Sequence, residues 1–268
     1  MKLLIDIGNT SAKLAVADND IVHCERLVGT WSDTLSRLIK EYDITSVRIS
    51  TVVNDNEELH DFIEHLHLPA LWLSSNLPYP QEPLKNVPKG FGADRWVADV
   101  GAMSLAPNRT LLVIDAGTCI TYDVISSAGE FLGGAISPGV QLRLTAMHEH
   151  TARLPLIDAT GLRDATELID TTGLINATGL RDDAASLIDD ATYHEADFLG
   201  HDTQTSMLSS AVNGTKYEIE GYIRRLLKIY PDLHVFISGG NDFRLADDIS
   251  CPIKHVPNLV LIGLNVLT

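Results

Sequence analysis

The hydrophobic and polar positions of the chain fall into two matching series. Apolar runs at 3–5, 12–17 and 21–27 predict three successive strands. Residues 32–42 then carry Leu35, Leu38, Ile39 and Tyr42 at helical spacing. A strand over 47–53, a short acidic helix over 56–65 and a strand over 71–74 follow. The proline-bearing stretch 76–89 reads as a loop that leads into a helix-like run through Met103. After Pro107 and Asn108 the pattern restarts, with strands expected at 110–116, 120–125 and 130–136 and a helix over 139–150. The longest helical pattern covers 203–230, with Gly214 as its candidate break. A strand over 233–238, a short helix over 242–248, a strand over 253–256 and a terminal helix over 259–267 complete the reading. The expected organisation is two similar α/β halves, 1–108 and 109–268.

Each half opens with the same turn. Asp6-Ile-Gly8-Asn9-Thr10 ends the first strand of one half, and Asp115-Ala-Gly117-Thr118 stands 109 positions later in the other. A glycine turn brings backbone N–H groups close to an anion, and the neighbouring carboxylate and hydroxyl suit a metal-bound phosphate. Two such turns predict a cleft shared by the halves. Gly239-Gly240-Asn241 is a third glycine turn after a strand. Together these features suit phosphoryl transfer, in which catalysis is mostly positioning and charge stabilisation. Asp94 and Arg95 open a predicted helix, whose positive end is expected to keep Asp94 ionised. An ionised Asp94 can take the proton of an attacking hydroxyl, and Arg95 can hold a substrate carboxylate.

Composition narrows the partners. The 268 residues are 45% hydrophobic, enough for a large core, and the net charge of −16 argues against nucleic acid and against an anionic membrane surface. Cys24, Cys119 and Cys251 lack the spacing of a zinc site or a disulfide framework. His148 and His150, two positions apart on one helix, point to different faces. With no leader pattern and no apolar stretch of membrane-spanning length, a cytoplasmic location is the expectation. One segment breaks the series. Leu-Ile-Asp recurs at 156, 168 and 187, and Ala-Thr-Gly-Leu-Arg-Asp starts at both 159 and 177. This degenerate repeat, at about 156–192, reads as an inserted surface excursion without catalytic residues. Its aspartates lack the spacing of a calcium loop.

The ordered motifs resemble those of the type III pantothenate kinases, of the acetate and sugar kinase, Hsp70 and actin superfamily. They are Asp6 to Thr10, Gly92-Ala93-Asp94-Arg95, Asp115 to Thr118, Gly133 to Gly139, Thr151 to Pro155, Asp202-Thr203 and Gly239-Gly240. The resemblance implies duplicated ribonuclease H-like (actin-like ATPase) domains with a cleft between them. It implies ATP-dependent phosphorylation of pantothenate to 4'-phosphopantothenate, the first step of coenzyme A biosynthesis. By the same resemblance, ATP and its Mg2+ are held by Asp6, Ile7, Gly8, Asn9, Thr10, Ser11, Ala12 and Lys13. Thr118, Gly239 and Gly240 join the ATP site, with Asp6 nearest the magnesium. Asp94 becomes the general base, and Gly92, Ala93, Asp94, Arg95 and Thr203 bind pantothenate. Asp115 marks a monovalent-cation site for K+ or NH4+, and a homodimer is implied. Cys119 stands where the family usually has Ala. A catalytically silent nucleotide-binding or regulatory relative is the alternative, and it has no physical need for Asp94.

Overall fold

The computed structural model describes residues 1–9, 11–53, 57–76, 79–80, 82–159, 196–241, 243 and 245–267. Thr10 and residues 160–195 of the repeat lie outside them. The first unit comprises Met1–Pro107 with Asn258–Thr268, and the second comprises 108–159 and 196–257.

In the first unit, β1 (Lys2–Ile7), β2 (Ala12–Ala17) and β3 (Ile21–Arg26) form an antiparallel meander. After α1 (Trp31–Glu41), β4 (Ser46–Thr51) returns parallel to β1. α2 (Glu57–Leu66) leads to β5 (Ala70–Ser74), again parallel, so the order is β3-β2-β1-β4-β5. Strand alternation decides which helices cover which face. Leu3, Ile5 and Ile7 pack with Val47 and Ile49 against Leu35 and Leu38 of α1 and Leu59 and Ile63 of α2. Lys2, Leu4, Asp6, Arg48 and Ser50 belong to the opposite face. There α3 (Ala93–Leu105) and α6 (Leu259–Val266) pack together and against the sheet. Lys2 Nζ donates to Asn265 O at 2.6 Å, and Arg48 Nη1 donates to Leu264 O at 3.1 Å. Two cations thus satisfy the carbonyls at the negative end of α6.

The second unit repeats this plan. β6 (Leu111–Ala116), β7 (Cys119–Ile125) and β8 (Phe131–Pro138) are antiparallel. α4 (Val140–Glu149) and α5 (Thr203–Leu227) precede β9 (His234–Gly239), which pairs parallel with β6, and β10 (Ile253–His255) extends the sheet. Read from β8, the order β8-β7-β6-β9-β10 is the first sheet's order with each strand replaced by its counterpart. Leu112, Ile114 and Ala116 pack with Leu144 of α4 and Ala211, Ile219 and Ile223 of α5. The duplicated ribonuclease H-like α/β fold expected from the sequence is the fold observed.

Three local expectations are changed. α5 runs through Gly214 without a break, started by a capping box in which Asp202 and Thr205 satisfy each other's backbone N–H groups. No helix forms over 242–248 among the described residues. Ala246 instead donates its N–H at 2.8 Å to Glu220 of α5, a buried carboxylate also held by Arg224. Arg224 reaches Asp248 as well, so side-chain anchoring to α5 replaces the helical ladder. At the start of the repeat, Ala159 is buried and Ile157 packs beside it in the core of the second unit. Gln141 fixes both, donating to Ile157 O at 2.9 Å and accepting from the Ala159 N–H at 2.8 Å. Ile157 and Ala159 therefore pack as part of this unit, whereas Leu156 and Asp158 are exposed.

Candidate active site

Asp6 lies within β1, near its C-terminal end. Its register neighbours are Lys13 on β2 and Ser50 on β4. Asp115 on β6 is placed alike, between Thr121 on β7 and Ser238 on β9. Each duplicated carboxylate therefore has a serine beside it on the parallel strand. Both serines are buried, Ser50 fully. The sequence reading missed this pair, because nothing local says which residues strand pairing brings together.

The two turns are tightened differently. Gly8 N–H donates to Ser11 O at 3.0 Å and closes the first hairpin, with Ser11, Ala12 and Lys13 leading into β2. In the second unit Gly117 N–H donates to Cys119 O, and Gly139 N–H to Thr118 O, both at 2.9 Å. Asn241 donates from its backbone to Ala116 O and from its side chain to Gly117 O, each at 3.0 Å. The Asp115 turn and the Gly239–Asn241 turn are thus one assembly. Its two glycines differ in purpose. Gly239 has φ +97°, and a Cβ there would meet Ala116 O at 2.5 Å, so β9 can end against β6 only with glycine. Gly240 faces open space, as a backbone that receives a ligand must. Thr118 and Cys119 are exposed in the same turn. Thr203 stands elsewhere in the unit, exposed at the first position of α5, beside a recess of about 500 Å3 lined by Asp202, Ser206 and Met207 among others.

Asp94 has the most distinctive surroundings. Gly92 caps α3, Ala93 is buried at its first position, and Asp94 follows in the first turn. Asp94 Oδ1 accepts the Arg95 N–H at 2.8 Å. A Cβ on Gly92 would come within 2.6 Å of that oxygen, so the missing side chain makes room for the carboxylate. Burial pushes the Asp94 carboxyl above the ordinary 3.8, outweighing the Arg95 N–H and the Arg95 charge, which pull it down. Desolvation thus outweighs the stabilisation of the charged form that the helix end and Arg95 supply. The Arg95 guanidinium lies 4.3 Å from the centroid of the Phe91 ring, a cation–π contact. Gly92→Ala tests the space around the carboxylate. Its φ of −62° suits alanine, so the fold persists and only the carboxylate is displaced. The expected result is a loss of about 10² in kcat at an unchanged melting temperature, checked by steady-state kinetics beside thermal unfolding.

Two sheets of identical strand order, each with a carboxylate near the end of its first strand and a glycine turn after it, define a duplicated α/β protein of the nucleotide-dependent phosphotransferase type. The comparisons make the family specific. The family profile described as type III pantothenate kinase matches residues 2–173. A Bacteroides fragilis type III pantothenate kinase is 36% identical over 266 residues, covering 99% of this chain and 96% of the relative. One from Phocaeicola vulgatus is 33% identical over the same length and coverage. Among solved structures, a conserved Campylobacter jejuni protein proposed as a Baf family transcriptional activator aligns with a TM-score of 0.52 at 19% identity. It covers 98% of this chain and 94% of that one, and it supports the fold alone. The chain belongs to the type III pantothenate kinase family.

Proposed function

We propose that Asp94 is the general base with which this kinase accepts the proton of the pantothenate hydroxyl as that oxygen attacks the γ-phosphorus of ATP. The reaction is ATP-dependent phosphorylation of pantothenate, giving 4'-phosphopantothenate and ADP. The observation that carries the assignment is the half-buried Asp94 carboxylate, set in the space left by Gly92 at the start of α3 and raised in pKa by desolvation. A silent regulatory relative needs no such group, and the relatives matching over nearly the whole chain are named as kinases.

The remaining roles are those that the resemblance to the family implies, and the chemistry of the residues is compatible with them. Asp6, with the Ile7 to Lys13 turn, holds the ATP phosphates through backbone N–H donors. Kinases of this kind use ATP with a divalent metal, and Mg2+ fits one carboxylate plus phosphate and water oxygens, which is what Asp6 offers. The ion, when bound, neutralises charge on the phosphates. Thr118, Gly239 and Gly240 belong to the nucleotide side. Asp115 offers a hard oxygen donor for a monovalent cation, K+ or NH4+. Gly92, Ala93 and Arg95 bind pantothenate beside Asp94, and Thr203 contributes from a homodimer. No helix among the described residues is long and apolar enough to cross a membrane. We place the enzyme in the cytoplasm.

The pH dependence follows from the direction of the Asp94 shift. A base must be unprotonated, so kcat/KM for pantothenate falls as pH drops through the Asp94 pKa. Burial raises that pKa, so the midpoint of the acid limb lies above the ordinary aspartate value of 3.8. A pH–rate profile run with potassium present checks this. A midpoint at or below that value contradicts the assignment.

A further inference from the structure

Tyr79 lies in the stretch 76–89 that the sequence reads as loop, and none of the assigned roles involves it. Its hydroxyl donates to Phe91 O at 2.6 Å. Its ring stacks on the Trp96 indole, with centroids 5.2 Å apart and planes 9° apart. Phe91 and Trp96 are the immediate neighbours, on either side, of Gly92-Ala93-Asp94-Arg95. One side chain from the preceding loop therefore grips both flanks of the segment that presents the base.

The two grips act on different degrees of freedom. The hydrogen bond to Phe91 O fixes the peptide that leads into Gly92, and so the direction in which the chain meets α3. The stack bears on the first turn from the other side. Trp96 is fully buried, and its indole N–H finds no acceptor among the described residues, so its orientation rests on packing, Tyr79 included. Phe91 is also the ring beneath the Arg95 guanidinium, so the same hydrogen bond steadies the platform of the second polar group. The Tyr79 hydroxyl is pushed up to about 12 by burial and by the charge of Asp94. It stays protonated, and a donor, throughout the working range.

We propose that Tyr79 is a positioning residue of the kinase reaction, clamping the Gly92–Arg95 segment through the Phe91 carbonyl and the Trp96 ring so that Asp94 meets the substrate hydroxyl at reacting distance. The proposal rests on Asp94 being the base. It assigns Tyr79 no contact with ATP, so the signature is selective: kcat and the pantothenate term suffer, and the KM for ATP does not.

The test uses two variants of the full chain. Tyr79→Phe keeps the stack and removes only the hydrogen bond. It should lower kcat about fivefold, the size of one neutral hydrogen bond. Tyr79→Leu removes both grips and should lower kcat/KM for pantothenate about 10²-fold, as expected for a misplaced catalytic group. The KM for ATP should stay within twofold in both. The proposal is overturned if Tyr79→Phe retains the wild-type kcat. It is equally overturned if the losses in either variant fall alike on both substrates and track a lowered melting temperature, since that is loop packing alone. Asp94→Asn is run beside them. Full activity in that variant removes the underlying reading, whereas an inactive Asp94→Asn with wild-type Tyr79 variants removes only the role of Tyr79.

Discussion

Asp94→Asn should yield a folded protein whose kcat for pantothenate phosphorylation is lower by about 10²- to 10⁴-fold, the range that a positioned general base supplies. Asparagine keeps the shape of the side chain. Its oxygen can still accept the Arg95 N–H that Asp94 Oδ1 accepts at 2.8 Å, so the first turn of α3 has no reason to rearrange. What disappears is the capacity to take a proton. The burial that raises the Asp94 pKa also favours the neutral amide, so the variant should be at least as stable as the parent. Substrate binding should change little, leaving the loss in kcat rather than in KM. The acid limb of the pH profile should vanish with it. Steady-state kinetics with both substrates, beside thermal unfolding, checks all of this. A variant that keeps more than a tenth of the parental kcat contradicts the assignment.

Gly263→Ala should have the largest effect on stability. α3 and α6 cross so closely that each contributes a glycine to the contact. A Cβ on Gly263 would lie 1.9 Å from Val97 O, and one on Gly101 would lie 2.5 Å from Leu259 O. Both obstacles are backbone atoms inside helices, so no side-chain rotation relieves the overlap, and the helices must separate. Overpacking of this kind costs about 3 kcal/mol or more, on the order of 10 °C in melting temperature. Because α3 carries Asp94, activity measured well below the melting temperature should fall as well. Calorimetry on the purified variant decides the matter. A melting temperature within 2 °C of the parent's would mean that the helices separate at little cost.

How much of this could be read in the chain follows from where each signal resides. The strands and the duplicated turns announce themselves locally, through apolar runs that end on Asp6 and Asp115 and the glycines that follow. Asp94 is legible as a helix-opening carboxylate. Its protonation behaviour is not, because desolvation depends on what covers it in three dimensions. Ser50 and Ser238 are invisible for a similar reason: only the parallel pairing of β4 with β1 and of β9 with β6 puts them beside the carboxylates. Helix α6 has apolar residues around most of its surface, and nothing in them says that it returns to the first unit. Lys2 and Arg48, both distant in sequence, receive its C-terminal end. Tyr79 sits among prolines, where pattern analysis sees only a loop. Where a helix over 242–248 is expected, the Ala246 N–H goes instead to Glu220 on a remote helix, a partner that no local pattern reveals. The double role of the glycine pair is also a tertiary matter. Sequence shows two glycines, whereas the structure shows one pressed against Ala116 and one left open.

The most direct measurement is the product formed when the wild-type chain is incubated with ATP, Mg2+ and pantothenate, in potassium and in sodium buffer. Mass spectrometry should show 4'-phosphopantothenate appearing mole for mole with ADP, faster in potassium. ADP accumulating without phosphorylated pantothenate, or no turnover in either buffer, would contradict the account.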